Sequence, residues 1–347
     1  MTRIVKREPV HRVEQSRLQL RKTIGRQASL TGHLAKASNP VRAFLFDVLP
    51  SEAAKPITDE IRAALAEGPR IAGATLAPWE HALIGTAVDY RLRYSFAVTP
   101  ASKFVAAVGV SKLPRYLTNE PDGGIEFFMT CQQFMDDIDS TVTELSPIGR
   151  RLDKADEEIL SRHCIVLALL EQVGRVGLRA GSPLLNRPFA SSTAQLLEVG
   201  RVEWMDDIRD MAWLFHDQAA REGLAGRPAI LNPTFAGSSD MSGADADLIV
   251  DGCLIEIKST IQASLREPVL HQLLGYTLLD YAGEFGVQSV GIYLARHGVL
   301  LRWKLEELLG KSADIRELST LRNRFRALLR SPLAASGQVA RRGDDSP

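Results

Sequence analysis

Asp251-Gly252 lies between two short runs of alternating apolar residues within Gly243 to Ser259 (GADADLIVDGCLIEIKS). Asp-Gly in that setting is the strongest short-range hairpin signal. With those two residues as the turn, Val250 faces Cys253, Ile249 faces Leu254, Leu248 faces Ile255 and Asp247 faces Glu256. One face then carries Ala246, Leu248, Val250, Cys253, Ile255 and Ile257, all apolar. The other carries Ile249 and Leu254 near the turn, followed by Asp245, Asp247, Glu256 and Lys258. Like charges directly opposite on a strand pair are destabilising. Asp247 against Glu256, beside a lysine, implies a cation held between them. The competing reading is an exposed surface face on which Asp245 pairs with Lys258.

At 347 residues the chain is long enough for one large domain or two ordinary ones. Its formal net charge is zero, so global charge makes no case for a polyanionic partner. Local charge does better. The first forty-odd residues are rich in Lys and Arg, and RNRFRALLR (Arg322 to Arg330) is a second basic cluster. Such blocks either contact phosphates or stand solvated. Cys131, Cys164 and Cys253 lie too far apart in sequence for a metal knuckle or a disulfide framework, which fits a reducing cytosol. No apolar run approaches the roughly 20 residues that span a bilayer, and the start lacks a signal-peptide core. A soluble, cytoplasmic protein is expected.

Four stretches follow from the pattern. Residues 1–40 read as a basic arm, 41–182 as a mainly helical region, 183–312 as an α/β core, and 313–347 as a basic helix with a disordered tail. Within the second stretch PITDEIRAALAEG starts on Pro56 and stops at Gly68, as a capped helix would. WEHALIGTAVDYRLRYSF, EFFMTCQQFMDDIDSTVTEL and KADEEILSRHCIVLALLEQVGRVGLRAG read as three more helices, the last buried through its centre. After Pro183 comes one helical stretch (193–223) with Trp204, Ile208, Met211 and Phe215 at helix spacing. A strand (AILNPTF), the acidic hairpin, a helix (REPVLHQLLGYTLLDYAGEFG), a strand pair (SVGIYLARHGVLLRW) and a short helix follow. That order predicts an α/β fold around a mixed sheet. Trp204 and Trp213 read as core, Cys253 as a small core residue, His216 and His271 as packing rather than ligands, and Arg296 as a surface arginine before the His297-Gly298 turn.

As chemistry, Asp247, Glu256 and Lys258 form D-x8-E-x-K. Magnesium takes oxygen ligands, keeps several waters and needs only one or two carboxylates plus a substrate phosphate. Asp247 and Glu256 supply the carboxylates, and the backbone carbonyl of Ile257 lies beside them. Lys258 shares their face, placed to orient the attacking water or to stabilise phosphate charge. The implied reaction is phosphodiester hydrolysis. A pattern this short arises by chance in roughly a tenth to a third of chains of this length, so its setting decides. Gln272 and Tyr276, at i and i+4 on the next helix, share one face.

Segments 245 to 258 and 272 to 276 resemble the PD-(D/E)XK nuclease superfamily, specifically its RecB-like branch, over about residues 197–309. The branch is known for an Asp, an E-x-K on the next strand and a Q-x-x-x-Y helix after it. ADLIVDGCLIEIKST followed by QLLGY matches both pieces. The resemblance implies a restriction-endonuclease-like core, a mixed central sheet flanked by helices, carrying a helical N-terminal region. It implies a DNA nuclease of repair, recombination or defence against foreign DNA. Asp247 and Glu256 would bind Mg²⁺ or Mn²⁺, Lys258 would assist the nucleophile, and Gln272 and Tyr276 would position the DNA strand. The family's upstream acid or histidine has three candidates. Asp89 in GTAVDYRLR stands where some relatives have His; Glu203 and Asp207 lie on the helix before the first strand, with Glu203 better placed by the order of elements. Three scattered cysteines exclude the iron–sulfur variant of the family. A catalytically silent relative that binds DNA or protein is the alternative. The helical N-terminal region would clamp DNA, mediate self-association or bind a partner protein.

Overall fold

At the Asp251-Gly252 turn both residues have positive φ, +49° and +71°, the backbone that a two-residue turn of this hand requires. Strands β1 (Ala229–Leu231), β2 (Leu248–Val250), β3 (Cys253–Lys258), β4 (Ser289–Leu294) and β5 (Val299–Lys304) form a five-stranded mixed sheet in sequential order. The register of β2 on β3 is the expected one, with Val250 opposite Cys253, Ile249 opposite Leu254 and Leu248 opposite Ile255. Strands β3 and β4 pair in parallel, and the other neighbours pair antiparallel. A parallel pair needs a crossover, and helix Glu267–Leu279 lies between these two strands in sequence. The computed structural model describes residues 29–73, 76–118, 123–186, 188–224, 226–241, 243–260, 267–310 and 315–331. Most of the basic arm and the tail after residue 331 therefore lie outside the described residues.

The helices are α1 (Leu30–Leu34), α2 (Pro40–Val48), α3 (Ser51–Ala66), α4 (Pro78–Arg93), α5 (Val105–Lys112), α6 (Pro114–Leu117), α7 (Gly124–Leu145), α8 (Lys154–Val176), α9 (Thr193–Leu197), α10 (Val202–Arg221), α11 (Glu267–Leu279), α12 (Leu305–Leu309) and α13 (Ile315–Leu329). The three central strands, β2, β3 and β4, are buried on both faces. On one, Leu248, Val250, Cys253, Ile255 and Ile257 join α4, α8 and α10 in a single core. On the other, Ile249 and Leu254 pack with Leu270, Leu273, Val290 and Ile292, and α1, α2 and α3 close over α11, α12 and α13. Each core thus combines helices from before and after residue 183. Ala246 belongs to this second core and not, as strict alternation predicts, to the face of Leu248. The ladder of β2 on β3 ends at Leu248 and the nearest bridge before it is Asp245 to Thr234, so Ala246 lies outside the paired pleat.

Several boundaries differ from the sequence reading. Helix α3 begins at Ser51 and carries Pro56 inside it, so the proline removes one backbone donor in the second turn instead of opening the helix. The stretch 193–223 divides into α9 and α10 around Gly200, where an added Cβ would meet Ile165 Cδ1 at 3.3 Å. Trp204 is buried, but Trp213 is only half-buried, with the guanidiniums of Arg151 and Arg209 over its ring at 4.4 and 5.2 Å. The basic cluster on α13 is tied to the chain itself: Arg324 and Arg326 lie over Phe44 and Tyr281, Arg322 donates to the Thr277 carbonyl at 3.2 Å, and Arg330 pairs with Asp240 at 2.9 Å. All three cysteines are free and buried. Among the described residues no helix is long and apolar enough to cross a membrane.

Candidate active site

The site opens where the hairpin parts. Strand β3 continues to Lys258 after its pairing with β2 has ended, leaving an unpaired edge at Ile257. The Ile257 N–H donates there to Asp247 Oδ2 at 2.7 Å. The N–H and C=O of one strand residue point to the same edge, so the Ile257 carbonyl faces the same opening. Glu256 is 5% exposed. Its Oε1 accepts from Lys258 Nζ at 2.7 Å and from Gln272 Nε2 at 2.9 Å. Gln272 Nε2 also donates to the Tyr276 hydroxyl at 3.0 Å, and Lys258 Nζ reaches Gln272 Oε1 at 3.3 Å. Tyr276 stacks on Phe235, centroids 6.1 Å apart. The i, i+4 pair on α11 therefore meets the E-x-K of β3 through one hydrogen-bonded chain. The other carboxylate oxygen of Glu256 is buried without a hydrogen-bond partner among the described residues.

Helices α4 and α8 supply the opposite wall of a cavity of about 260 Å³. Gly85, Asp89, Arg93, Glu171, Arg175, Asn232, Asp245, Asp247, Glu256 and Ile257 all line it. Of the three upstream candidates, only Asp89 does. Glu203 is 57% exposed and pairs with Arg201 at 3.4 Å on the surface. Asp207 is buried but fully used, both its oxygens accepting from Arg296 at 2.6 Å. Arg296 is itself buried and donates to the Ser259 carbonyl at 2.7 Å; it braces the end of β3 and is not the surface arginine that its place before a turn suggests. Asp245 lines the cavity with Asp247 and Glu256 and does not make the competing pair with Lys258. It faces Arg175 and Arg93, and Lys258 pairs with Glu256.

Arg93, Arg175, Glu171 and Asn232 were not among the sequence candidates. Three carried a signal: Asp89 with Arg93, and Glu171 with Arg175, are acid-to-arginine pairs at i, i+4 on their helices. Arg93 holds the cavity together. Its Nε donates to Asp89 Oδ1 at 2.8 Å, and its Nη2 donates to Asp89 Oδ2 and, at 3.2 Å, to Asp247 Oδ1. Its Nη1 donates to Asn232 Oδ1.

The electrostatics follow from an imbalance. Five carboxylates (Asp89, Glu171, Asp245, Asp247, Glu256) line the cavity against the guanidiniums of Arg93 and Arg175, with the Lys258 ammonium alongside. A buried excess of negative charge must take up protons or cations. Burial, then the charge of Asp247, pushes Glu256 up to about 7, against the pull of Lys258 and Arg93. Burial holds Asp89 well above the carboxylate range despite Arg93, and raises Asp245 likewise. Burial pulls Lys258 down, but Glu256 and Asp247 outweigh it and hold the ammonium above its ordinary value. Burial also raises the Tyr276 hydroxyl, which stays protonated.

Comparisons of the chain with protein-family models, with curated proteins and with solved structures returned no match. The reading therefore rests on the cavity. Among the described residues no group of three or more His, Cys, Asp or Glu side chains is poised to hold a metal ion. In the arrangement described, Arg93 engages Asp89 and Asp247.

Proposed function

We propose that the chain is a Mg²⁺- or Mn²⁺-dependent nuclease that hydrolyses DNA phosphodiester bonds, built on a PD-(D/E)XK core of the RecB-like branch. The observation that carries this reading is the surplus of carboxylates around one cavity, with a buried oxygen of Glu256 left without a partner. That oxygen, Asp247 and the Ile257 carbonyl form a hard-oxygen donor set of the kind that Mg²⁺ and Mn²⁺ take, and Asp89 faces them from α4. The order α10, β1, β2, β3, α11, β4, with the acid at the parting of the hairpin and Gln272 and Tyr276 on the following helix, supports the finer fold assignment.

When bound, the ion supplies a more acidic water and neutralises phosphate charge. The chain's own residues do the remainder. Lys258, held by Glu256 and Gln272, keeps an ammonium beside the carboxylates, where it orients the water or stabilises charge on the phosphate. Gln272 fixes both Glu256 and Tyr276, so the α11 pair positions the site and presents it to a DNA strand. Repair, recombination and defence against foreign DNA all suit such an activity.

The absence of a poised ligand cluster among the described residues favours one second reading, a catalytically silent module that binds DNA or protein through the same fold. Cleavage of single-stranded, duplex and branched DNA with and without Mg²⁺ or Mn²⁺, wild type against Lys258→Ala, separates the two. The nuclease should cut only with metal, and the variant should lose about 10²-fold or more. No metal-stimulated cleavage of any form would sink the enzyme and leave the silent module.

A further inference from the structure

Two arginines on α4 lie two residues apart and meet carboxylates in different ways. Arg91 and Glu157 are fully buried, bonded through Nε and Nη2 at 2.5 and 2.7 Å, with the Arg91 Nη1 on Ser95 at 2.9 Å. That pair is neutral, sealed and away from the cavity. Arg93 lines the cavity and is divided among three acceptors, Asp89, Asp247 and Asn232. Its contact with Asp247, at 3.2 Å, is longer than its 2.8 Å bond from Nε to Asp89. A structural ion pair does not need this division. A guanidinium that must let go does.

Asn232, the third acceptor, has φ +47°, a left-handed backbone that a non-glycine residue seldom adopts. Its N–H donates to the Asp247 carbonyl at 3.0 Å while its side chain holds Arg93. Asn232 therefore fixes Arg93 and the backbone of Asp247 relative to each other.

We infer that Arg93 is the phosphate-binding residue of this site, stored on Asp89 and Asp247 and released to the substrate when a metal ion takes those carboxylates. The inference rests on the metal-dependent reading above. A divalent ion and a guanidinium on the same carboxylates repel at contact distance, so each weakens the hold of the other. Once displaced, the planar fork of Arg93 matches two oxygens of a phosphodiester, as it matches Asp89 now. The exchange also explains how the cavity can be rich in carboxylates while no three of them are poised for a metal among the described residues.

The test is calorimetric titration of Mn²⁺ into the full-length protein, together with binding of a single-stranded oligonucleotide in Mn²⁺ in a Lys258→Ala background that blocks turnover. Arg93→Gln removes a competing cation and is expected to bind Mn²⁺ about tenfold more tightly than wild type, yet to hold the oligonucleotide about tenfold more weakly. Arg93→Lys keeps the charge without the fork, so it should bind the oligonucleotide poorly without the full gain in metal affinity. Asn232→Gly, which suits the left-handed backbone, loosens the tether alone. It should tighten Mn²⁺ and leave oligonucleotide binding intact, and it carries the test if the buried Arg93 variants do not fold. Wild-type Mn²⁺ binding that Arg93→Gln and Asn232→Gly leave equal or weaker overturns the inference and spares the nuclease reading. No Mn²⁺ binding by wild type overturns both.

Discussion

The sealed pair Arg91–Glu157 and the open cluster around Arg93 share a helix, a residue type and a buried setting, but their charge balance differs. Arg91 answers one carboxylate with one guanidinium, and Ser95 takes its remaining donor group. Around Arg93, carboxylates outnumber cations, an oxygen of Glu256 has no partner, and burial moves Glu256 and Asp89 upward. Balanced buried charge holds a fold together; unbalanced buried charge marks a place that something else must complete. The largest expected effect tests the first half of that statement. Arg91→Met strands Glu157 in the core, which should cost about 3 to 5 kcal/mol in denaturant unfolding. Added Mn²⁺ should not recover it. Recovery by metal, or a loss under about 1 kcal/mol, would erase the distinction between the two clusters.

The open cluster should respond in the opposite sense. Glu256 lies at about 7 in the folded chain against an ordinary 4.5. Between those values the folded form holds a proton that the unfolded form has lost, so stability is greatest at the acid end and falls as pH rises through the window. The upward displacement of Asp89 and Asp245 adds the same sign. Unfolding of the metal-free protein should therefore become easier between pH 5 and 7. Glu256→Gln should flatten part of that slope and stabilise the metal-free protein at pH 8 by of the order of 1 to 3 kcal/mol, while abolishing metal-dependent cleavage. A variant that destabilises the metal-free protein at pH 8 would mean that Glu256 is a structural acid like Glu157.

These two clusters also show where sequence reading works and where it stops. The hairpin was legible because Asp-Gly fixes a turn and a turn fixes register, each a local step; the ladder ends at Leu248 opposite Ile255, so the expected facing of Asp247 and Glu256 across paired strands is not formed. Gln272 and Tyr276 were legible because helix spacing is local too. Asp89 was readable only as a candidate, since order along the chain favoured Glu203, and it takes the packing of α4 against α8 and α10 to bring Asp89 to the cavity and leave Glu203 on the surface. Arg296 was misread for the same reason. In sequence it reads as the end of a strand before a turn, an exposed position, whereas β4 stops at Leu294 and the partner of Arg296, Asp207, lies on α10, a contact that no periodicity reports. Ala246 shows a finer failure, because alternation holds only while a strand is paired.

The smallest effect separates binding groups from framing groups within the open cluster. Tyr276 touches the site through one neutral hydrogen bond, accepting from Gln272 Nε2, and its ring is packed on Phe235. Tyr276→Phe keeps the ring and removes that bond, for a stability change of about 1 kcal/mol or less. If Tyr276 only frames Gln272, cleavage should fall in kcat with KM for DNA unchanged, because a loosened Gln272 lets Glu256 and Lys258 drift. If its hydroxyl meets the strand directly, KM should rise instead, because the buried hydroxyl must first exchange Gln272 for the substrate. The geometry favours framing. The hydroxyl is buried, and the amide that binds it also binds Glu256 at 2.9 Å. An unchanged kcat with a raised KM would move Tyr276 from the frame of the site to its substrate-binding surface.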